Sequence, residues 1–143
     1  MTGRVLAETA VAAGITLVLL FLGSGLLALE NAPSAGDAFF RSGPANVLGI
    51  LGVALVVWVL LILAANAVNR RRSSVVKALT NVVVTVAVAG LSLGFWAAFA
   101  AVAGGFADLV VTIALVDAAL FAITALIAIA VTHLALLRTP RGV

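Results

Sequence analysis

The sequence predicts an all-α membrane protein: four transmembrane helices in an up-down-up-down bundle, with N and C termini in the cytoplasm. Three observations lead there. First, 65% of the 143 residues are hydrophobic and 9% are charged, whereas a soluble domain carries about 25% charged residues. Polar groups are too few to cover a globular surface, so lipid must act as the solvent. Second, four apolar runs, Val5–Leu29, Pro44–Val68, Ala78–Ala103 and Leu109–Leu137, take up most of the chain. Each exceeds the ~20 residues a helix needs to cross hydrocarbon. Open strands would leave backbone groups unpaired in lipid, and barrel strands are shorter. Third, four crossings put both termini and the middle loop on one side. That side holds Arg4, Arg70, Arg71, Arg72, Lys77, Arg138 and Arg141, and only Arg41 falls on the other. The positive-inside rule makes the basic side cytoplasmic. Residues 1–143 therefore read as a single four-helix transmembrane domain.

The elements follow in order. The first run is longer than a signal-peptide core and lacks an A-x-A cleavage pattern, so it is expected to be a true transmembrane helix. The connection Glu30–Gly43 is the longest. Ser34 followed by Asp37 resembles a capping box, which allows a short interfacial helix over Ala35–Arg41; an irregular loop anchored by Phe39 and Phe40 fits equally well. Ser42-Gly43-Pro44 reads as the start of the second helix, since proline costs nothing in a first turn. Trp58 lies mid-helix, in the core or facing lipid. The loop Asn69–Lys77 carries Arg70-Arg71-Arg72-Ser73-Ser74. Gly104-Gly105 forms the tight second outer turn, Asp108 meets the positive end of the fourth helix dipole, and Thr139-Pro140 ends that helix. Short connections make sequential helices antiparallel neighbours, with the third and fourth the tightest pair.

Helices in lipid associate by close packing, which favours small residues at contacts. Gly90-x-x-x-Gly94 in the third helix is such a pattern. Gly23 and Gly25 in the first, Gly49 and Gly52 in the second, and the stripe Ala114, Ala118, Ala122 and Ala125 in the fourth are further candidates. These small residues are expected to serve contacts within the bundle, with a homodimer seam as the less favoured use.

Asp117 stands out chemically, as the one formally charged side chain between Leu109 and Leu137. Nine residues beyond Asp108, at 1.5 Å each, put it roughly 13 Å deep, near the midplane of a hydrocarbon core about 30 Å thick. A carboxylate there costs about 2.5–3.5 kcal/mol on insertion scales. Folding the third helix back about Gly105 places Asp117 level with Leu93 and flanked by Ser92 and Trp96, both hydrogen-bond donors. Gly94 would let the helices approach closely, and Ser24 is another candidate partner. No basic residue reaches this depth. Three roles remain open: a neutral or hydrogen-bonded structural group, a group facing a partner subunit, or a proton, cation or cationic-substrate site in transport.

A second polar layer is expected at the cytoplasmic surface. It contains Glu8 with Arg4 as its i−4 neighbour, read as a surface ion pair, together with Asn66, Asn69, Thr80, Asn81 and His133. His133 lies sixteen residues, about 24 Å, beyond Asp117, and a lone histidine suggests no metal site. Arg70, Arg71, Arg72 and Lys77 are placed to fix topology, with contact to anionic lipid as a side effect.

No Walker loop, dinucleotide fingerprint, H-E-x-x-H or G-x-S-x-G occurs, and the chain has no cysteine. No catalytic, cofactor-binding or metal-binding residues are assigned, and no enzyme activity is expected. The high isoelectric point comes from membrane-edge charges and does not point to nucleic acid. The expected function is association in the lipid bilayer, as an accessory or assembly subunit of a membrane complex or as a homo-oligomer. The alternative is a small oligomeric transporter or channel that uses Asp117. The Ala, Val, Leu, Gly and Arg bias suits a GC-rich bacterial genome, hence a bacterial inner (plasma) membrane.

Overall fold

The computed structural model describes the backbone from Gly3 to Arg138 and side chains as far as Ala135. The Thr139-Pro140 helix stop and Arg141 lie outside the described residues. Helix α1 spans Gly3–Ala28, α2 Ala35–Asp37, a π-helical segment Ala38–Ser42, α3 Gly43–Val68, α4 Ser74–Ala103 and α5 Ala107–Arg138. The segment from α2 through α3 is continuous. Four helices, Gly3–Ala28, Ala35–Val68, Ser74–Ala103 and α5, are long and apolar enough to cross a membrane.

The second long helix does not start at Pro44. It starts at Ala35, where the Ser34 hydroxyl accepts the Asp37 N–H at 3.1 Å and also donates to the Asp37 carboxylate at 3.0 Å. Ser42 is itself helical and makes no side-chain cap. A proline inside a helix lacks an N–H and its ring presses on the carbonyl four residues back. Here the chain absorbs it by widening one turn, so that the Gly43 N–H reaches the Ala38 carbonyl instead. Single π-turns of this kind are a known accommodation within α-helices.

α4 begins four residues before the apolar run, because Ser73 is an N-cap whose side chain accepts the Val76 N–H at 3.4 Å. α4 ends at Gly104, whose φ of 75° is open to glycine without steric cost. Helix packing is most extensive between α4 and α5, followed by α1 with α5, α1 with α3, and α3 with α4.

Leu20, Leu51, Trp58, Ile62 and Phe121 are fully buried at the centre, with the Trp58 and Phe121 rings edge to face at 5.4 Å. Ala114, Ala118 and Ala125 of the small-residue stripe are buried as well. Large apolar side chains such as Val53, Leu91 and Val102 face outward, as lipid-exposed surfaces require.

The glycines divide differently from expectation. An added Cβ at Gly25 would land on the Phe39 ring, and one at Gly43 would lie 2.8 Å from the Gly25 nitrogen and from the Ala38 carbonyl oxygen. Gly25 and Gly43 thus let α1 cross the start of α3 at backbone contact. Gly23 packs against Leu120 of α5. Gly90 and Gly94, expected inside the helix assembly, are exposed with open space beside them. Gly49 and Gly52 also meet nothing. The Gly90/Gly94 face of α4 turns outward, while Asn81, Thr85, Val88 and Ala89 supply the buried face of that helix.

Candidate functional site

The polar residues gather in the interior, toward the end that carries Arg4 and the Arg70–Arg72 turn, termed the basic end. Glu8 sits one turn into α1 on the same face as Thr9, Ala12 and Thr16, all buried. Its carboxylate takes the Arg4 Nε at 2.9 Å and the Lys77 Nζ at 3.2 Å. The side chain of Arg4 is 66% exposed, whereas those of Glu8 and Lys77 are 6% and 9% exposed. The expected Arg4–Glu8 pair forms, but Glu8 lies inside and not at the surface. Lys77 departs from its expected place beside the Arg70–Arg72 charges: the long lysine stem carries its ammonium inward from α4. Arg70, Arg71 and Arg72 are exposed in the turn after α3, with Val68 beside them.

A ladder of side-chain hydrogen bonds continues inward. Asn66 Nδ2 donates to the Thr9 hydroxyl at 3.0 Å, and Asn81 Nδ2 donates to Asn66 Oδ1 at 3.0 Å. One turn deeper, the Trp58 indole N–H donates to the Thr85 hydroxyl at 2.9 Å, and Thr85 donates to the Asn81 carbonyl at 2.8 Å. α1, α3 and α4 are thereby tied together from the basic end to the middle of the protein. Asn69 and Thr80 add a shallower tie at 3.3 Å. His133 is half-buried beside this cluster. With Glu8, Asn66, Lys77 and Asn81 it borders a cavity of about 20 Å³, enough for one water by volume. Asn81 Oδ1 and His133 Nδ1 have no hydrogen-bond partner. Glu8 has its charge matched twice, so the cluster resembles a structural clasp more than a reactive centre.

Asp117 lies apart, one turn of α5 before Phe121 and on the far side of the Trp58–Phe121 contact from the polar ladder. It is 2% exposed, and its Oδ2 has no partner. Two of the donors expected near it, Trp96 and Ser24, are used elsewhere. Trp96 donates its indole N–H to the Ile50 carbonyl at 2.9 Å, which ties α4 to α3. Ser24 donates to the Phe21 carbonyl at 3.0 Å. Thr124 donates to the Leu120 carbonyl at 2.9 Å. Ser92 is half-buried and makes no hydrogen bond among the described residues. The chain's own helices cover Asp117.

Sequence reasoning thus identified most of the polar residues and missed their connectivity. Trp58 to Thr85 and Asn66 to Asn81 are nearly symmetric about the Arg70–Ser73 turn, the same hairpin relation used for the other loop. Comparison of the chain with protein-family models, with curated proteins and with solved structures finds no match in any of the three.

Proposed function

We propose that the chain is an integral membrane protein of a bacterial plasma membrane that works by association, as an accessory or assembly subunit or as a homo-oligomer, and performs no catalysis. In this reading the four long helices form an up-down-up-down bundle with the basic end and both termini in the cytoplasm, following the positive-inside rule. The observation that carries the association reading is the open small-residue face of α4. Ala87, Gly90, Gly94, Ala98 and Ala101 recur at helical spacing, and all five are exposed. Glycine within a helix costs about 1 kcal/mol relative to alanine, and neither glycine here has an intrachain contact that offsets it. Close approach of a second transmembrane helix would offset it, because small-x-x-x-small faces let backbones pack at short range. The polar groups of the interior support the same reading, being committed to holding α1, α3 and α4 together.

The test is the assembly state of the intact protein, purified in mild detergent and reconstituted at low density in vesicles. Subunits are counted by single-molecule photobleaching, and co-purifying chains are identified by mass. The expected result is a defined homo-oligomer or a stable heteromeric complex that Gly90→Leu and Gly94→Leu disrupt while Gly49→Leu does not. A monomer without companions, or an assembly indifferent to both α4 substitutions, would reject the reading.

A transport role for Asp117 is the second reading, favoured by its buried carboxyl group without a partner. Asp117→Asn in reconstituted vesicles should then abolish flux. Unchanged flux would eliminate that role.

A further inference from the structure

We propose that the cavity bordered by Glu8, Lys77, Asn81 and His133 is a binding site for one water molecule, and that through this water His133 ties α5 to the polar ladder of the other helices. Two side-chain atoms point to it. Asn81 Oδ1 and His133 Nδ1 are each buried without a hydrogen-bond partner, and both residues line the same cavity of about 20 Å³. A buried polar atom left unpaired is costly, and interior waters sit where such atoms converge. The orientation of Asn81 follows from its neighbours. Asn66 uses its Nδ2 on the Thr9 hydroxyl, so Asn66 Oδ1 needs a donor, and Asn81 supplies its own Nδ2 at 3.0 Å. Asn81 Oδ1 is thereby turned away from Asn66 and can only accept. Asn81 is 7% exposed, so bulk solvent does not satisfy it.

Size and charge select the occupant. The volume takes one water and nothing much larger. Glu8 already meets both Arg4 and Lys77, so these three side chains carry one positive charge in excess, which disfavours a cation. The Asn81 carbonyl oxygen disfavours an anion. A neutral molecule that donates two hydrogen bonds and accepts one fits. The Lys77 ammonium has three N–H groups, and its contacts to the two Glu8 oxygens leave one for the water to accept. The water in turn donates to Asn81 Oδ1 and to His133 Nδ1, which requires the imidazole tautomer with its proton on Nε2. On α5 the neighbouring Thr132 hydroxyl is spent on the Ala128 carbonyl at 2.7 Å, so the polar link falls to His133. A bridging water reorients as its partners shift, so α5 is tied without its register being fixed. The inference is independent of whether the chain associates through α4 and of the role of Asp117.

NMR of the intact protein in lipid nanodiscs tests the site, with asparagine and histidine side chains labelled with ¹⁵N and the pH held at about 8, above the ordinary titration range of histidine. The expected result is cross-relaxation from one long-lived water to both the Asn81 side-chain amide and the His133 ring. His133 Nδ1 should show the ¹⁵N shift of an unprotonated nitrogen that accepts a hydrogen bond. His133→Phe, similar in size and without ring nitrogens, should weaken the water signal at Asn81 several-fold. The Asn66 and Asn81 amide signals should stay in place, which reports that the fold persists. Absence of a long-lived water at Asn81 in the parent protein would overturn the site. A proton on His133 Nδ1, or a water signal at Asn81 that His133→Phe leaves unchanged, would overturn the link to α5.

Discussion

Glu8 and Lys77 allow a quantitative test of how the interior is held. Both side chains are nearly inaccessible and their charged atoms are 3.2 Å apart. At an effective dielectric of about 20 the Coulomb attraction at that distance is about 5 kcal/mol, set against desolvation costs of several kcal/mol per ion. The net value of the pair is therefore small, while removal of one partner is severe, about 3–5 kcal/mol, because it strands a buried charge. The structure adds an asymmetry. Glu8→Gln leaves the Lys77 ammonium with no carboxylate. Lys77→Met leaves Glu8 with Arg4 at 2.9 Å, a partner worth about 1 kcal/mol if screened as in water. Glu8→Gln should therefore destabilise by about 3–5 kcal/mol and Lys77→Met by about 1 kcal/mol less. The double variant should recover to within about 2 kcal/mol of the parent, since replacing a whole buried pair is often neutral. Reversible unfolding in mixed micelles, or steric trapping in bicelles, measures all four proteins. Single substitutions within about 0.5 kcal/mol of the parent, the range of ordinary surface changes, would refute a buried clasp. So would a double variant equal to the sum of the singles, because contacting groups must couple.

Three further outcomes use the same unfolding assay. Gly25→Ala and Gly43→Ala should each cost about 1–3 kcal/mol by overpacking, whereas Gly90→Ala and Gly94→Ala, with open space beside them, should be neutral or stabilise the monomer by up to about 1 kcal/mol. Trp58→Phe should lose about 1–3 kcal/mol, from the missing bond to Thr85 and the space left beside Phe121, and Thr85→Val should lose a similar amount by leaving the indole N–H unpaired. Asp117→Asn should leave stability within about 0.5 kcal/mol, because no hydrogen bond or ion pair is broken, and Asp117→Leu should raise it.

The helices were legible because an apolar run of more than 20 residues in lipid has one hydrogen-bonding solution. The start of the second helix was not, because Pro44 reads equally as a first-turn proline and as an interior proline relieved by a π-turn. That choice depends on where Phe39 packs, which requires Gly25 of another helix. Trp58–Thr85 and Asn66–Asn81 were recoverable by folding the chain about the Arg70–Ser73 turn. Glu8–Lys77 was not, since α1 and α4 are not a principal packing pair and the contact is made by long side chains reaching across the interior. The outward direction of Gly90 and Gly94 was hidden for a compositional reason: alanine, valine and leucine cover every face of these helices, so no apolar periodicity marks inside from outside.

The interior ties also divide the helices into two kinds. α3 is joined to α1 through Asn66 and Thr9, and to α4 through Asn66–Asn81, Trp58–Thr85 and Trp96–Ile50; α4 is joined to α1 through Lys77 and Glu8. No α5 side chain hydrogen-bonds another helix among the described residues. The threonines of α5 bond back to their own helix, and its Asp117 and His133 each keep an unpartnered atom. α5 is held instead by shape, with Ala114, Ala118 and Ala125 buried and Gly23 receiving Leu120. In a membrane each interhelical hydrogen bond contributes only about 0.6 kcal/mol on average, so the ties on α3 act mainly by selecting which faces meet. Packing alone tolerates small rotations and shifts that a hydrogen-bonded register does not. Any rearrangement that brings a donor to Asp117 is therefore expected to move α5 against a fixed α1–α3–α4 unit.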